Sequence, residues 1–364
     1  MNTLAWIGFT QSFFAAVLMF TKKNSSLPDK ILSGWLTLLA IEFLTCALDH
    51  TVYGRPLLSS SFLLFNPALY IYVSSLTRDD FKLRIIQLLH FLPFLTFELV
   101  AYSIKEPFYP QTFFEQNQNF WFKIGFAIAN ILSWIVYNPL SLLLVHRHRI
   151  HLKNEHSNIE KNENLGWLLS VAIFYVVYCV FALTIAIIGI STGLDYRLPH
   201  IFNYSAMLIL VFMFSFYGLR QQELKTKFLT GVRPQPYQNS SLQEEQKHRI
   251  GELITQYIEK RQAYLLPDLN MEMLSDAIGI PRYQVTEVLN TTLGMNFFQF
   301  INQYRIEAAK KMLTNKAQQY SIEAIGYDCG FSSKSVFYLV FKRETGMTPK
   351  EYIRQINNET FLLS

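Results

Sequence analysis

Apolar runs close to 20 residues long recur through the first 219 positions, at about 2–20, 31–49, 57–77, 85–103, 121–145, 167–190 and 200–219. Helices of that length match a hydrocarbon core about 30 Å thick. The pattern therefore predicts a seven-span transmembrane domain over 1–219. A polar stretch with Gly231, Pro234 and Pro236 follows and reads as a cytoplasmic linker over 220–246. From 247 to 358 the apolar positions shorten to helical periods broken by glycines, which predicts a separate helical domain. Residues 359–364 read as a tail. The expected fold class is all-α throughout.

Charge sets the orientation of the spans. With the N-terminus outside, the inner segments hold Lys22, Lys23, Lys30, Arg78, Lys82, Arg84, Arg147, Arg149, Lys153, Lys161, Arg220, Lys225, Lys227 and Arg233. The outer segments hold only Arg55, Lys105, Lys123 and Arg197. Seven crossings then place the C-terminal domain in the cytoplasm. No basic residue precedes the first span, so it reads as a retained helix rather than a cleaved signal peptide. The longest outer segment, near 104–120, is too short to fold as a ligand-binding domain.

Composition adds little to this picture, because 51% hydrophobic residues and a net charge of +5 average two unlike halves. Three scattered cysteines, Cys46, Cys179 and Cys329, fit neither a disulfide framework nor a zinc site. No metal-ligand spacing or paired catalytic motif is evident, so no enzyme activity, metal or cofactor is expected. Ionisable residues inside spans are costly and mark candidate sites. Glu42, Asp49 and Glu98 form an expected sensing cluster for a proton, a cation or a cationic ligand. The competing reading is polar contact between helices.

The C-terminal half contains a repeat. GMNFFQFINQ (294–303) returns as GMTPKEYIRQ (346–355), and AIGIPRYQVTEVL (277–289) parallels DCGFSSKSVFYLVF (328–341). Each unit reads as a short helix, a glycine turn and a second helix, giving helix–turn–helix units at about 269–291 and 321–344. Asn270 and Ser321 are expected N-caps, and Pro281 fits a first helical turn. Thr348 with Glu351, and Asn296 with Gln299, read as capping boxes. Between the units, 297–313 predicts one long helix with Phe297, Ile301, Tyr304, Ala308 and Met312 along a single buried face.

These residues carry a resemblance. The segment from about 250 to 356 resembles the DNA-binding domain of the AraC/XylS family of bacterial transcription regulators. The matching positions include Arg305, Ala309 and Leu313, then Ile325, Gly330, Phe331, Ser335, Phe337, Phe341, Lys342, Gly346, Thr348, Pro349 and Tyr352. The resemblance implies two helix–turn–helix units on a rigid connecting helix, with double-stranded DNA as partner. Together with the apolar spans and their charge bias, it gives an expected bacterial inner-membrane location, with RNA polymerase as a possible partner and homodimerisation expected. The bilayer and a small ligand, ion or membrane protein acting as signal complete the expected partners.

Recognition helices are expected at about 281–291 and 333–344, where side chains of the N-terminal turns reach base edges. Arg282, Tyr283, Thr286 and Glu287 are the base-reading candidates of the first unit; Ser333, Lys334, Ser335 and Tyr338 are those of the second. Lys342, Arg343, Thr348 and Lys350 are the phosphate candidates. Glu287 would repel phosphate unless it accepts from a cytosine amino group. Tyr338 and Leu339 stand where relatives often carry Ser and Arg. From Lys247 onward, 14 Lys or Arg face 12 Asp or Glu, so net charge permits DNA binding without arguing for it.

The leading expectation is a membrane-integral, one-component transcription regulator. The alternative is a membrane transporter or membrane enzyme carrying an autoregulatory DNA-binding domain.

Overall fold

The computed structural model of the protein describes residues 2–23, 25–53, 56–78, 81–105, 108, 117–159, 163–192, 197–221, 242–316 and 319–363. Most of the expected linker, 222–241, lies outside the described residues. So do Arg55, Lys161, Lys225, Lys227 and Arg233 of the charge count, and Ser364 of the tail. The described residues are helical, with no strand among them beyond one isolated bridge. The chain divides into two compact units, Met1–His146 with Leu165–Thr230, and Arg147–Asn164 with Gly231–Ser364.

The first unit is built from α1 (Asn2–Phe20), α2 (Leu27–Leu48), α3 (Phe62–Thr77), α4 (Leu92–Ser103), the first part of α5 (Phe120–Glu155), α6 (Gly166–Thr192) and α7 (Arg197–Arg220). Among the described residues, six helical segments are long and apolar enough to cross a membrane. The stretch read as a span at 57–77 differs: its helix begins only at Phe62, and its 16 residues reach about 24 Å. The preceding turn is held instead by side chains, as described below. Most of α3 is buried, which explains why its sequence is apolar on all sides. The stretch at 85–103 also changes character, from a 3₁₀ turn over Ile85–Phe91 into α4, with Pro93 in the first turn of α4.

One core joins α1, α2, α3, α6 and α7, with Trp35, Tyr72 and Phe214 in mutual ring contact. A second aromatic cluster stacks Phe108 on Phe126 at 3.9 Å, beside Phe97 and Phe122. Close helix approach is bought with a small residue, since a Cβ on Gly8 would collide with the ring of Phe43. Ser26 and Asp29 form a capping box at the start of α2. Asp29 also takes the Lys22 ammonium at 2.9 Å, and the same ammonium donates to the Gln221 carbonyl at 2.7 Å. A cation thus sits where the dipole of α7 ends negative. Outward faces stay apolar, with Phe13, Phe14, Phe20, Ile86, Trp121 and Ile135 exposed.

The second unit contains α8 (Glu244–Lys260), α9 (Met271–Ile278), α10 (Arg282–Thr291), α11 (Phe297–Lys316), α12 (Ile322–Asp328), α13 (Lys334–Thr345) and α14 (Pro349–Leu363). It also takes in the end of α5 and the residues after it. Two cores form. The first gathers Ile254 and Ile258 of α8, Leu274 of α9, Val285 and Val288 of α10, and Phe297 and Ile301 of α11. The second gathers Ile306, Ala309 and Leu313 of α11 with Ile325, Phe331, Phe337, Val340 and Phe341. The single face expected for the long helix is therefore corrected. Phe297 and Ile301 are fully buried, whereas Tyr304, Ala308 and Met312 are only partly so. One helix serves two cores, so its buried stripe shifts midway through Asn302, Arg305 and Ile306.

Candidate nucleic-acid interface

Each helix–turn–helix is closed by local chemistry. In the first unit the Asn270 side chain accepts from Met273 N at 2.9 Å and caps α9. Gly279, at φ +68°, ends that helix in the left-handed conformation that favours glycine. The Ser275 hydroxyl then donates to the Ile280 carbonyl at 2.6 Å, which holds the turn ahead of α10. In the second unit Ser321 caps α12 and Ser333 caps α13. Gly330 lies between them at φ +88°; a Cβ there would meet the Tyr264 carbonyl at 2.5 Å.

The candidate base readers separate by environment. Tyr283 is exposed, Thr286 is half-buried with its hydroxyl donating to the Arg282 carbonyl, and Arg282 is ion-paired to Glu155. Glu287, read as an exposed reader, is instead only 4% exposed. Helix α8 covers that position, and Lys247 stands 3.8 Å from its carboxylate. Burial against a cation removes the phosphate repulsion expected of it, together with its role as a reader. In α13, Lys334 and Ser335 are exposed. Lys334 pairs with Glu323 of α12, which holds its ammonium above the usual lysine range, and it lies 5.8 Å from the Tyr338 ring. Ser333 spends its hydroxyl on capping, accepting from Val336 N at 3.3 Å.

Among the phosphate candidates, Lys342 and Lys350 are exposed. Arg343 is committed to the adjacent Glu344 and to the face of Phe298. The Thr348 N–H, offered to phosphate in the sequence reading, donates to the Glu351 carboxylate at 2.7 Å, while Glu351 N donates back to the Thr348 hydroxyl. The matching box at Asn296 and Gln299 is formed as well.

The expected sensing residues Glu42, Asp49 and Glu98 lie close enough to interact electrostatically, and each also holds hydrogen-bond partners of its own. Glu98 accepts from Ser60 N at 2.8 Å, from Ser59 N at 3.3 Å and from the Ser60 hydroxyl, fixing the turn before α3. Asp49 accepts from Leu57 N at 3.0 Å. Glu42 is buried and accepts from the Tyr204 hydroxyl at 2.9 Å. No group of His, Cys, Asp and Glu suited to a metal ion occurs among the described residues.

A contact the sequence reading missed lies at the seam between the two helix–turn–helix units. Arg305, fully buried on α11, donates from Nε to the Tyr264 carbonyl at 2.7 Å and from Nη2 to the Leu266 carbonyl at 2.9 Å. It also donates to the Ser157 carbonyl at 3.1 Å and the Ser157 hydroxyl at 2.9 Å. Burial pulls its pKa down to about 9, which leaves the guanidinium charged at neutral pH. Burial, with His151 and Arg282 adding to it, pulls the neighbouring His156 down to about 4, so that imidazole is neutral. In the sequence, residues 147–159 had counted only as a basic inner segment.

A family description of a helix-turn-helix domain matches residues 274–355. Over 94 residues the chain is 32% identical to the xylose operon regulatory protein of Escherichia coli K12, covering 26% of this chain and 23% of that one. It is 29% identical over 98 residues to the regulatory protein PocR of Salmonella typhimurium, covering 27% and 32% of the two chains. It is 28% identical over 110 residues to the uncharacterized HTH-type transcriptional regulator YijO of Escherichia coli, covering 30% and 37%. The chain thus spans between 23% and 37% of the length of these curated relatives. No solved structure matches. With two glycine-turned helix pairs carried on one connecting helix, the C-terminal part of this chain is an AraC-type helix-turn-helix domain.

Proposed function

We propose that the chain is a membrane-integral, one-component transcription regulator that binds double-stranded DNA through its paired helix–turn–helix units. The observation that carries the reading is the exposed N-terminal turn of α13, where Lys334 and Ser335 project from a helix whose other face is fully buried. The proposed location is a bacterial cytoplasmic membrane, with the N-terminus outside and the DNA-binding domain in the cytoplasm. Six long apolar segments with outward apolar faces, and the inner excess of Lys and Arg, support it. RNA polymerase as a contact, and a homodimer as the bound form, belong to the same proposal.

The test begins with full-length chain, which should sediment with membranes and need detergent for release. Mobility-shift assays against a random-sequence duplex pool should then show binding whose affinity falls steeply with salt. Lys334→Ala should weaken binding about tenfold and flatten the salt slope by about 0.9. Binding insensitive to salt and to Lys334 would remove the DNA reading.

A signal would enter through the first unit, and Glu42 is the acid proposed to carry it, because its buried carboxylate links α2 to Tyr204 of α7, whereas Glu98 and Asp49 fix backbone turns. Glu42→Gln keeps the shape and removes the charge. A reporter driven by a bound promoter should then lose its response to growth conditions while the purified variant binds DNA as before. A response that persists unchanged would assign Glu42 to helix packing.

A further inference from the structure

The short segment after α5 is held to several parts of the second unit. His156 forms an antiparallel bridge with Asn270, the cap residue of α9. The Ser157 hydroxyl donates to the Leu269 carbonyl at 2.5 Å, and its carbonyl accepts from Asn302 Nδ2 at 2.9 Å and from Arg305. Asn158 Nδ2 donates to the Pro267 carbonyl at 2.8 Å and to the Gly330 carbonyl at 2.9 Å. Ile159 packs against the core of the second helix–turn–helix. Four consecutive residues therefore touch the entry to α9, the connecting helix α11, the turn of the second unit and its core. Just before them, Glu155 pairs with Arg282, the first residue of the first recognition helix.

We infer that Glu155–Ile159 is a latch that docks on the DNA-binding domain and withholds Arg282 from DNA. The inference rests on the DNA-binding reading and names how that site is regulated. The physical argument is one of competition. A guanidinium at the N-terminal turn of a recognition helix is placed to meet a phosphate or a guanine edge. Here its charge is satisfied by a carboxylate of the same chain, and that carboxylate would repel a phosphate approaching the same spot. DNA must displace Glu155 to recruit Arg282. The Ser157 and Asn158 contacts give the latch a defined seat, because Ser157 is buried against the buried donors Asn302 and Arg305, and Asn158 reaches two backbone carbonyls. The same seat spans both helix–turn–helix units, so docking also fixes one arrangement of the two readers. The latch directly continues α5, whose sequence runs back to Phe120, which provides a covalent path from the first unit independent of the 220–246 linker.

The test uses the full-length protein in detergent and the random-sequence duplex pool. Glu155→Gln should tighten binding about fivefold, since a partly exposed ion pair contributes up to about 1 kcal/mol. It should also steepen the salt slope by about 0.9, the mark of one more phosphate engaged. Glu155→Lys should act in the same direction and more strongly. In the Glu155→Gln background, Arg282→Gln should erase the gain, because the gain passes through that side chain. Wild-type protein that binds with Glu155→Gln unchanged in affinity and slope would overturn the latch and leave the DNA-binding reading standing. Weaker binding by Glu155→Gln would overturn it too, because Glu155 would then be holding Arg282 in its productive pose. Absence of salt-dependent binding by every form would instead remove the DNA-binding reading itself.

Discussion

Replacing Arg305 with methionine is expected to destabilise the C-terminal unit by on the order of 3 kcal/mol. The guanidinium is fully buried on α11 and donates to two carbonyls near Leu265, those of Tyr264 and Leu266, and to the carbonyl and hydroxyl of Ser157. Methionine fills much of the volume and donates to none of them. Each carbonyl left buried without a donor costs about 1–3 kcal/mol, offset in part because a buried charge no longer has to be desolvated. Lysine keeps the charge but cannot reproduce a planar fork aimed at several acceptors, so Arg305→Lys should fall between wild type and Arg305→Met. Hydrogen exchange of the α9–α14 amides in the full-length protein measures this. Loss of protection on both sides of α11 is expected, because Arg305 sits between the two cores. Equal protection in wild type and Arg305→Met would mean that its carbonyl partners find water or other donors.

What the sequence made legible was mainly what is local. Asn270, Ser321, the Thr348–Glu351 box and the Asn296–Gln299 box are all formed. Each depends only on residues three positions apart. The two glycine turns fall in the same class, and so does the alternation of buried and exposed positions in α13. Non-local packing was not legible. Glu287 looked exposed because its own helix places it beside readers, and only α8 lying across it reverses that. The face of α11 was misread because periodicity assumes one partner surface, while this helix has two. The seat of Ser157 and Asn158 depends on contacts more than 100 residues away in sequence. No pattern in HRHRIHLKNEHSN announces it, beyond an Asn and a Ser with little reason to follow a helix so closely. Likewise, an apolar count cannot tell that 57–61 is a turn pinned by Glu98 and Asp49 rather than the start of a helix.

Phe337→Ala should cost about 3–5 kcal/mol, and its effect should stop at the second helix–turn–helix. The ring is fully buried, with centroids 5.0 Å from Phe331 and 5.6 Å from Phe341. It also lies against Gly326, where a Cβ would approach the ring to 2.7 Å, so α12 and α13 meet at the closest distance a glycine allows. Truncation leaves a cavity that these two helices cannot close without moving the recognition helix. The first core contains neither Phe337 nor any of its ring neighbours, and α11 is shared but buries different residues in each core. Amides of α12 and α13 should therefore lose protection while those of α9 and α10 keep it, and DNA affinity should fall because the proposed DNA contacts Lys334 and Ser335 lose their scaffold. Two positions along the same helix, Leu339 is 55% exposed, and Leu339→Ala should change stability by less than about 0.5 kcal/mol. Comparable losses in the two variants would contradict the division of α13 into a buried aromatic face and an exposed face. A loss of protection spreading through α9 and α10 would show that the two helix–turn–helix units fold as one cooperative body through α11, with the separate cores joined more tightly than their residues imply.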